Sequence, residues 1–272
     1  MSYEYSLAEI PEHHYPKLRE LFLEDWPSNY ISFSVTEHSA RHDSKSSQIY
    51  SVGGNIHDGL VHIDKIGNIL HFCEFGNNLE KLKKALEDIS FKRFEFIYFK
   101  SPKLIPLIPH LEIGEHRYVQ ETHGFFFLEK AKAFNLNIQE RKDVFLKPLT
   151  LEDADIVNDL WPPKFPGSIN YVEYLIKTDY SMGAFCKTTG NLVAWILRYP
   201  IGCLGILQVK REYYRRGLGK LVVTAISKKL GEEGLDCSVT INVKNEPSTK
   251  LFKSVGYEKP YDIFLYKNLN KI

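Results

Sequence analysis

Apolar positions along this chain change their spacing several times, and each change marks an element. Alternating or short continuous apolar runs predict strands at Tyr30–Val35, Gln48–Val52, Leu60–Ile63, Ile69–Phe75, Phe94–Phe99 and Gly124–Leu128. Helical spacing appears at Tyr15–Leu23 and Leu79–Ile89. In the second of these, Leu79, Leu82, Leu86 and Ile89 share one face, while Lys81, Lys83 and Lys84 fall largely on the other, which reads as a solvated surface. Gly53-Gly54 and Gly67-Asn68 are turn signals between strands.

A polar stretch, Lys130 to Lys142, interrupts the pattern after Phe125-Phe126-Phe127 and is the best linker candidate. A second unit then opens with a strand at Val144–Lys147, a helix N-cap at Thr150 supported by Asp153, and a helix through Trp161. After a proline-rich break at Pro162–Gly167, the pattern predicts a helix at Ile169–Lys177 and strands at Met182–Lys187, Leu192–Tyr199 and Gly205–Val209. A helix at Gly217–Gly231, a strand at Ser238–Val243, a helix at Pro247–Val255 and a strand at Ile263–Tyr266 complete it. The expected organisation is a domain over 1–135, a linker over 136–143 and a second domain over 144–272, both of mixed α/β character.

Composition narrows the function classes. Of the 272 residues, 43% are hydrophobic and 25% charged, enough to bury a core. The net charge of +1 gives no global field toward nucleic acid or an acidic membrane, so neither is expected as a partner. Cys73, Cys186, Cys203 and Cys237 are scattered without a C-x-x-C pair, which points to reduced thiols in an intracellular protein and to no metal. No apolar run reaches membrane-spanning length, and the first ten residues carry acids and no secretory h-region. A cytoplasmic setting is expected, with a mitochondrial one open.

The candidate chemistry lies at Tyr213–Lys220, where a strand gives way to a helix through two arginines and two glycines. Gly217 and Gly219 allow tight curvature and close approach of backbone to ligand. The first N–H groups of the following helix are unpaired and its dipole favours an anion, so the segment suits a phosphate. It is not a Walker A loop, because Tyr214 and Leu221 stand where Gly and Ser or Thr would be required. It is not a dinucleotide fingerprint, because Val222 replaces the third glycine. Leu218, Leu221, Val222, Ala225 and Ile226 form one apolar stripe behind it. Downstream, Asn245–Tyr257 reads as a capped helix with Pro247 in its first turn and Gly256 at C′. Asn245, at a strand end, is free to bond a ligand or a splayed strand.

The loop, helix and strand followed by N-x-x-S-x-x-L-F-x-x-x-G-Y at Asn245–Tyr257, together with the opening Leu146–Ala154, resemble the GCN5-related N-acyltransferases over Val144–Tyr266. Leu21–Trp26-Pro27, Asn191–Trp195 and the two-domain length are similar to the glycine N-acyltransferase branch. The resemblance implies two tandem domains, each a mixed, mostly antiparallel sheet flanked by helices, with the N-terminal one degenerate. It implies acetyl-CoA or a longer acyl-CoA as co-substrate and a small amine or amino acid such as glycine as acceptor. Position by position, it places Leu207, Gln208 and Val209 along the pantetheine arm as an added strand. It places Arg215, Arg216, Gly217, Leu218, Gly219 and Lys220 around the pyrophosphate, Asn245 at the thioester region, and Lys253 at the nucleotide phosphates.

The resemblance also shows departures. Tyr214 stands where the motif has Arg or Gln, Phe252 where many members have a tyrosine acid, and Cys203 where the glycine branch has a glutamate base. Cys203, Tyr257 and Asn245 are therefore the expected catalytic positions, with Tyr199, Tyr213, Asp179, His110 and His116 as other proton-exchanging groups. Two further readings stay open: a catalytically degenerate acyl-CoA sensor or scaffold, and a protein N-acetyltransferase.

Overall fold

The computed structural model describes residues 7–42, 47–75, 79–110 and 118–268. In chain order the strands and helices are β1 (Leu7–Glu9), α1 (Tyr15–Leu23), α2 (Tyr30–Arg41), β2 (Ser47–Val52), β3 (Asn55–Asp64), β4 (Ile69–Cys73), α3 (Leu79–Glu87), β5 (Phe96–Phe99) and β6 (Tyr118–Leu128). Then follow α4 (Lys130–Phe134), β7 (Val144–Lys147), α5 (Ala154–Asp159), α6 (Ser168–Thr178), β8 (Ser181–Cys186), β9 (Leu192–Arg198) and β10 (Cys203–Val209). The last described elements are α7 (Leu218–Glu232), β11 (Cys237–Asn242), α8 (Glu246–Val255) and β12 (Glu258–Asn268).

Contacts divide the chain into two compact units, one of Met1–His123 with Asp262–Ile272 and one of Gly124–Tyr261. This differs from the partition expected at 135 and 144. The expected linker begins as a helix: α4 buries Ala133 and packs on α7. The fit is close, since a Cβ added to Gly231 of α7 would stand 2.4 Å from the Phe134 nitrogen.

In the first unit the strand order is β1-β2-β3-β4-β5-β12. Neighbours are antiparallel except β4 and β5, which run parallel. Gly53 and Gly54, with φ of 57° and 76°, turn β2 into β3, and Asn68, with φ of 51°, stands before β4. The core joins Leu82, Ala85 and Leu86 of α3 to Val61, Leu70, Phe72, Ile97 and Phe99 of the sheet. One expectation fails here: Tyr30–Val35 is the start of helix α2, not a strand. Its alternation arises because small polar residues (Ser32 and Ser34) are buried along with Tyr30, Ile31 and Val35.

The second unit has the order β6-β11-β10-β9-β8-β7. β7, β8, β9 and β10 are antiparallel, and β10 is parallel to β11. Helix α7 lays Leu218, Val222, Val223, Ile226 and Leu230 on Ala184, Val193, Ala194 and Ile196 of the sheet, with Phe252 and Val255 of α8 in the same core. The expected cap at Thr150 is formed, with the Asp153 carboxylate accepting from the Thr150 N–H at 2.8 Å. Gly256 takes φ of 111° at the end of α8. Each unit is thus a mixed α/β layer with a mostly antiparallel sheet flanked by helices.

Candidate functional site

The site is built where β10 leaves β11. Their parallel pairing covers Cys203–Ser238 and Leu204–Val239, although β10 continues to Val209 and β11 to Asn242. On the other side, β10 pairs with β9 through a register shift between Gly205 and Gln208. Ile206 sits in this bulge with φ of 51°, a left-handed conformation that a β-branched residue adopts at a cost of about 1–3 kcal/mol. The bulge bends β10 and leaves one side of Ile206–Val209 without a strand neighbour in that pairing. Such an open seam inside a sheet accepts an extended ligand by backbone hydrogen bonding.

At the mouth of the seam lies the glycine-containing loop. Arg215 and Gly217 both have left-handed backbones, with φ of 62° and 76°. Gly217 is the N-cap of α7, and its carbonyl accepts the first helical bond from the Leu221 N–H at 3.0 Å. The N–H groups of Leu218, Gly219 and Lys220 are by position the unpaired donors of that helix start. A Cβ on Gly219 would stand 3.1 Å from Leu251 Cδ1 and 3.6 Å from Val209 Cγ2, so a bare backbone there lets α7 sit close to β10 and α8.

Seam and loop open into one cleft of about 430 Å³. Of the expected cofactor residues, Leu207, Gln208, Val209, Arg215, Gly217, Leu218, Gly219 and Lys220 line it, joined by Tyr213, Tyr214, Pro247, Ser248 and Leu251. Backbone donors, two cations and an apolar floor in one cleft fit a ligand with a phosphate group and an extended arm. Three expected residues are placed elsewhere. Arg216 lays its guanidinium over the Tyr213 ring at 5.1 Å. Asn245 caps α8, its Oδ1 accepting from the Ser248 N–H at 3.2 Å. Lys253 is exposed on α8 and does not line the cleft.

The expected catalytic positions are likewise resolved by packing. Cys203 is buried, and burial pushes its thiol up to about 12, with Ser238 Oγ donating to its sulfur at 3.3 Å. That environment suits a packed apolar thiol rather than a base or nucleophile. Tyr257 is buried in the core, its hydroxyl 2.6 Å from Ser227 Oγ and its ring edge-on to Phe252. Asp179 forms a buried ion pair with Arg198 at 3.1 Å. Tyr199 is pushed up by burial, with the Ile206 N–H bonding its oxygen. His116 and the His110 side chain lie outside the described residues.

Two residues that sequence reasoning missed belong to the loop's surroundings. Cys186, at the end of β8, has its thiol lowered to about 7, first by the Thr189 hydroxyl and then by the Thr189 and Thr188 backbones. It also bonds Tyr213, which raises the Tyr213 phenol. Arg141 is held by Asp143 through Nε at 2.9 Å and Nη2 at 2.8 Å, and its Nη1 donates to the Arg216 carbonyl at 2.8 Å. No spacing rule links Arg141 to a loop 75 residues away.

Residues 181–263, which contain the seam, the loop and α8, match the model of the FR47-like protein family. No curated protein sequence matches the chain. Among solved structures, a Drosophila protein is similar at a TM-score of 0.87 and 21% identity, over 97% of this chain and 99% of that one. A GCN5-related N-acetyltransferase from Sphaerobacter thermophilus is similar at 0.60 and 11%, over 100% and 98%. A tandem protein of this kind from the clavulanic acid biosynthesis pathway is similar at 0.57 and 14%, over 97% and 98%. The chain therefore has the fold of the GCN5-related N-acetyltransferases, in the two-unit form of that tandem protein. Among the described residues no group of His, Cys, Asp or Glu is placed to hold a metal ion, and no helix is long and apolar enough to cross a membrane.

Proposed function

We propose that the chain is an N-acyltransferase that takes an acyl group from a coenzyme A thioester, acetyl-CoA or a longer acyl-CoA, and passes it to a small amine or amino acid such as glycine. The observation that carries this reading is the cleft in which the β10 seam and the α7 start open together, lined by Leu207, Gln208 and Val209 of β10 and by Arg215 and Gly217–Lys220 of the loop and helix start. In this reading the pantetheine arm runs along Leu207, Gln208 and Val209 as the missing strand. The Leu218, Gly219 and Lys220 N–H groups and the Arg215 charge hold the pyrophosphate.

The chemistry then asks little of side chains. An amine attacks the thioester carbonyl in its neutral form, and the tetrahedral oxyanion needs a donor, which a β10 backbone N–H at Leu207 or Val209 supplies. The coenzyme A thiolate leaves without strong acid assistance. Proton removal from the acceptor falls to water or to the acceptor's own free-base population, since Cys203 is held as a neutral thiol. Such an enzyme gains activity with pH as the acceptor amine loses its proton.

The decisive test is thiol release from a panel of acyl-coenzyme A donors with glycine and other small amines. Release that requires both substrates supports the reading. Binding of coenzyme A without release by any pair would favour a second reading, an acyl-CoA sensor, for which the burial of Cys203 and the core placement of Phe252 speak.

A further inference from the structure

The loop that faces the cleft is braced from behind. A second cleft of about 340 Å³ lies on that side of α7, lined by Asn137, Gln139, Arg141, Thr224 and Ser254 among others. Gly217 and Lys220 border both clefts, whereas Arg141 borders this one alone. The Arg141 guanidinium is not free to swing, because both oxygens of Asp143 accept from it. This fork-to-fork pairing is the strong, directional form of the Arg–carboxylate contact. The backbone around it is tied as well, with Lys187 Nζ donating to the Arg141 carbonyl at 3.0 Å. The remaining guanidinium nitrogen, Nη1, donates to the carbonyl oxygen of Arg216 at 2.8 Å.

In a trans peptide the carbonyl and the N–H point in opposite directions. The Arg216 carbonyl and the Gly217 N–H belong to one peptide unit. Drawing the carbonyl toward Arg141, on the side of the second cleft, turns the Gly217 N–H toward the first. The φ of Gly217, one of the two dihedrals about which this peptide turns, is left-handed at 76° and belongs to the least restricted residue type. We propose that Arg141, oriented by Asp143, is a positioning residue that fixes the Arg216–Gly217 peptide with its N–H directed at a ligand phosphate. The ligand class, a coenzyme A pyrophosphate, rests on the reading proposed above. Arg141 itself touches no phosphate; it acts through the backbone it holds.

The test is calorimetric titration of the full chain and its variants with coenzyme A and, separately, with pantetheine, which lacks the phosphates. Arg141→Ala is expected to weaken coenzyme A binding about tenfold and to leave pantetheine binding unchanged. Arg141→Lys, which keeps the charge but not the fork, is expected to resemble Arg141→Ala. Asp143→Asn is expected to give about a threefold loss, and added methylguanidinium to restore part of the affinity of Arg141→Ala. Equal coenzyme A affinity in wild type and in all three variants would overturn the positioning role while leaving the coenzyme A reading intact. Parallel loss of pantetheine affinity would overturn it as well, by showing a general structural effect. If wild type binds no coenzyme A, both readings fall together. Should Arg141→Ala not fold, Arg141→Lys and Asp143→Asn decide the matter by the same comparison.

Discussion

Tyr199 and Gly205 occupy adjoining space at the root of the seam: a Cβ built on Gly205 would stand 2.0 Å from Tyr199 Cε2 and 2.7 Å from its Cζ. The half-buried ring lies where a side chain on β10 would project, and the next residue, Ile206, is the one that turns left-handed. The bulge that opens the seam is therefore packed in place by an aromatic ring.

Gly205→Ala is expected to destabilise the protein by about 2 kcal/mol through overpacking, read as a lower urea midpoint with an unchanged slope. The cost should shrink in a Tyr199→Ala background, where the ring is gone. An equal cost in both backgrounds would show that Tyr199 is not what the methyl group meets.

Gly217→Glu is expected to abolish the rise in melting temperature given by coenzyme A. It sets a carboxylate at the proposed phosphate position and forces a left-handed φ on a non-glycine residue. For wild type, ligand at about a hundredfold over Kd stabilises by about 2.7 kcal/mol. Gly217→Ala separates the two effects, losing about 1 kcal/mol of stability while still responding to ligand. A full ligand response in Gly217→Glu would sink the assignment of this loop to phosphate.

The four cysteines are expected to differ sharply toward alkylation at pH 7.5. Cys186, lowered to about 7, is substantially thiolate there. Burial holds Cys73, Cys203 and Cys237 near 12, where the thiolate is scarce. Peptide mapping after limiting iodoacetamide should find Cys186 modified faster by on the order of 100-fold, and the difference should vanish in denaturant. Comparable labelling of all four in the native protein would contradict the environments described.

Acid should weaken the first unit through two buried imidazoles. Burial lowers His71 from 6.5 to about 4 and puts His62 well below its ordinary value, with His71 and His38 adding to the effect on His62. Folded, both are neutral; unfolded, both take up protons below about 6.5, so the unfolded state gains as pH falls. Stability is thus complete above pH 6.5, declines toward pH 4, and from His71 alone loses about 3 kcal/mol. Urea titrations between pH 7.5 and 4.5 measure this, and His71→Gln should flatten the slope. A wild-type stability that is level over that range would refute it.

Much of the second unit was legible because its signals are local. Thr150 with Asp153, Pro247 with Gly256, and the stripe from Leu218 to Ile226 each specify a helix end or face within a few residues. The turn and helix start at Arg215–Lys220 were legible for the same reason, since glycines and a helix start lie in one short run. What stayed hidden depended on packing between distant segments. Tyr30–Val35 alternates like a strand, yet it is the start of a helix in which Ser32 and Ser34 are buried with the apolar residues. Lys130–Phe134 looks like a polar linker, and only its contact with Gly231 shows why it is a helix. Asn245 looked free for a ligand, but its side chain serves its own helix. Cys203 is expected from the resemblance alone, and its burial is a tertiary fact.

The last backbone pair between β10 and β11, Leu204 with Val239, has a consequence for reach. Beyond it the strands part; before it they are closed. In the reading proposed above, an extended ligand entering from the α7 end would advance only until it met that pair, so the junction would act as a depth stop. Where the stop lies along the chain would then decide which bond of the ligand comes to rest beside the Ile206 bulge.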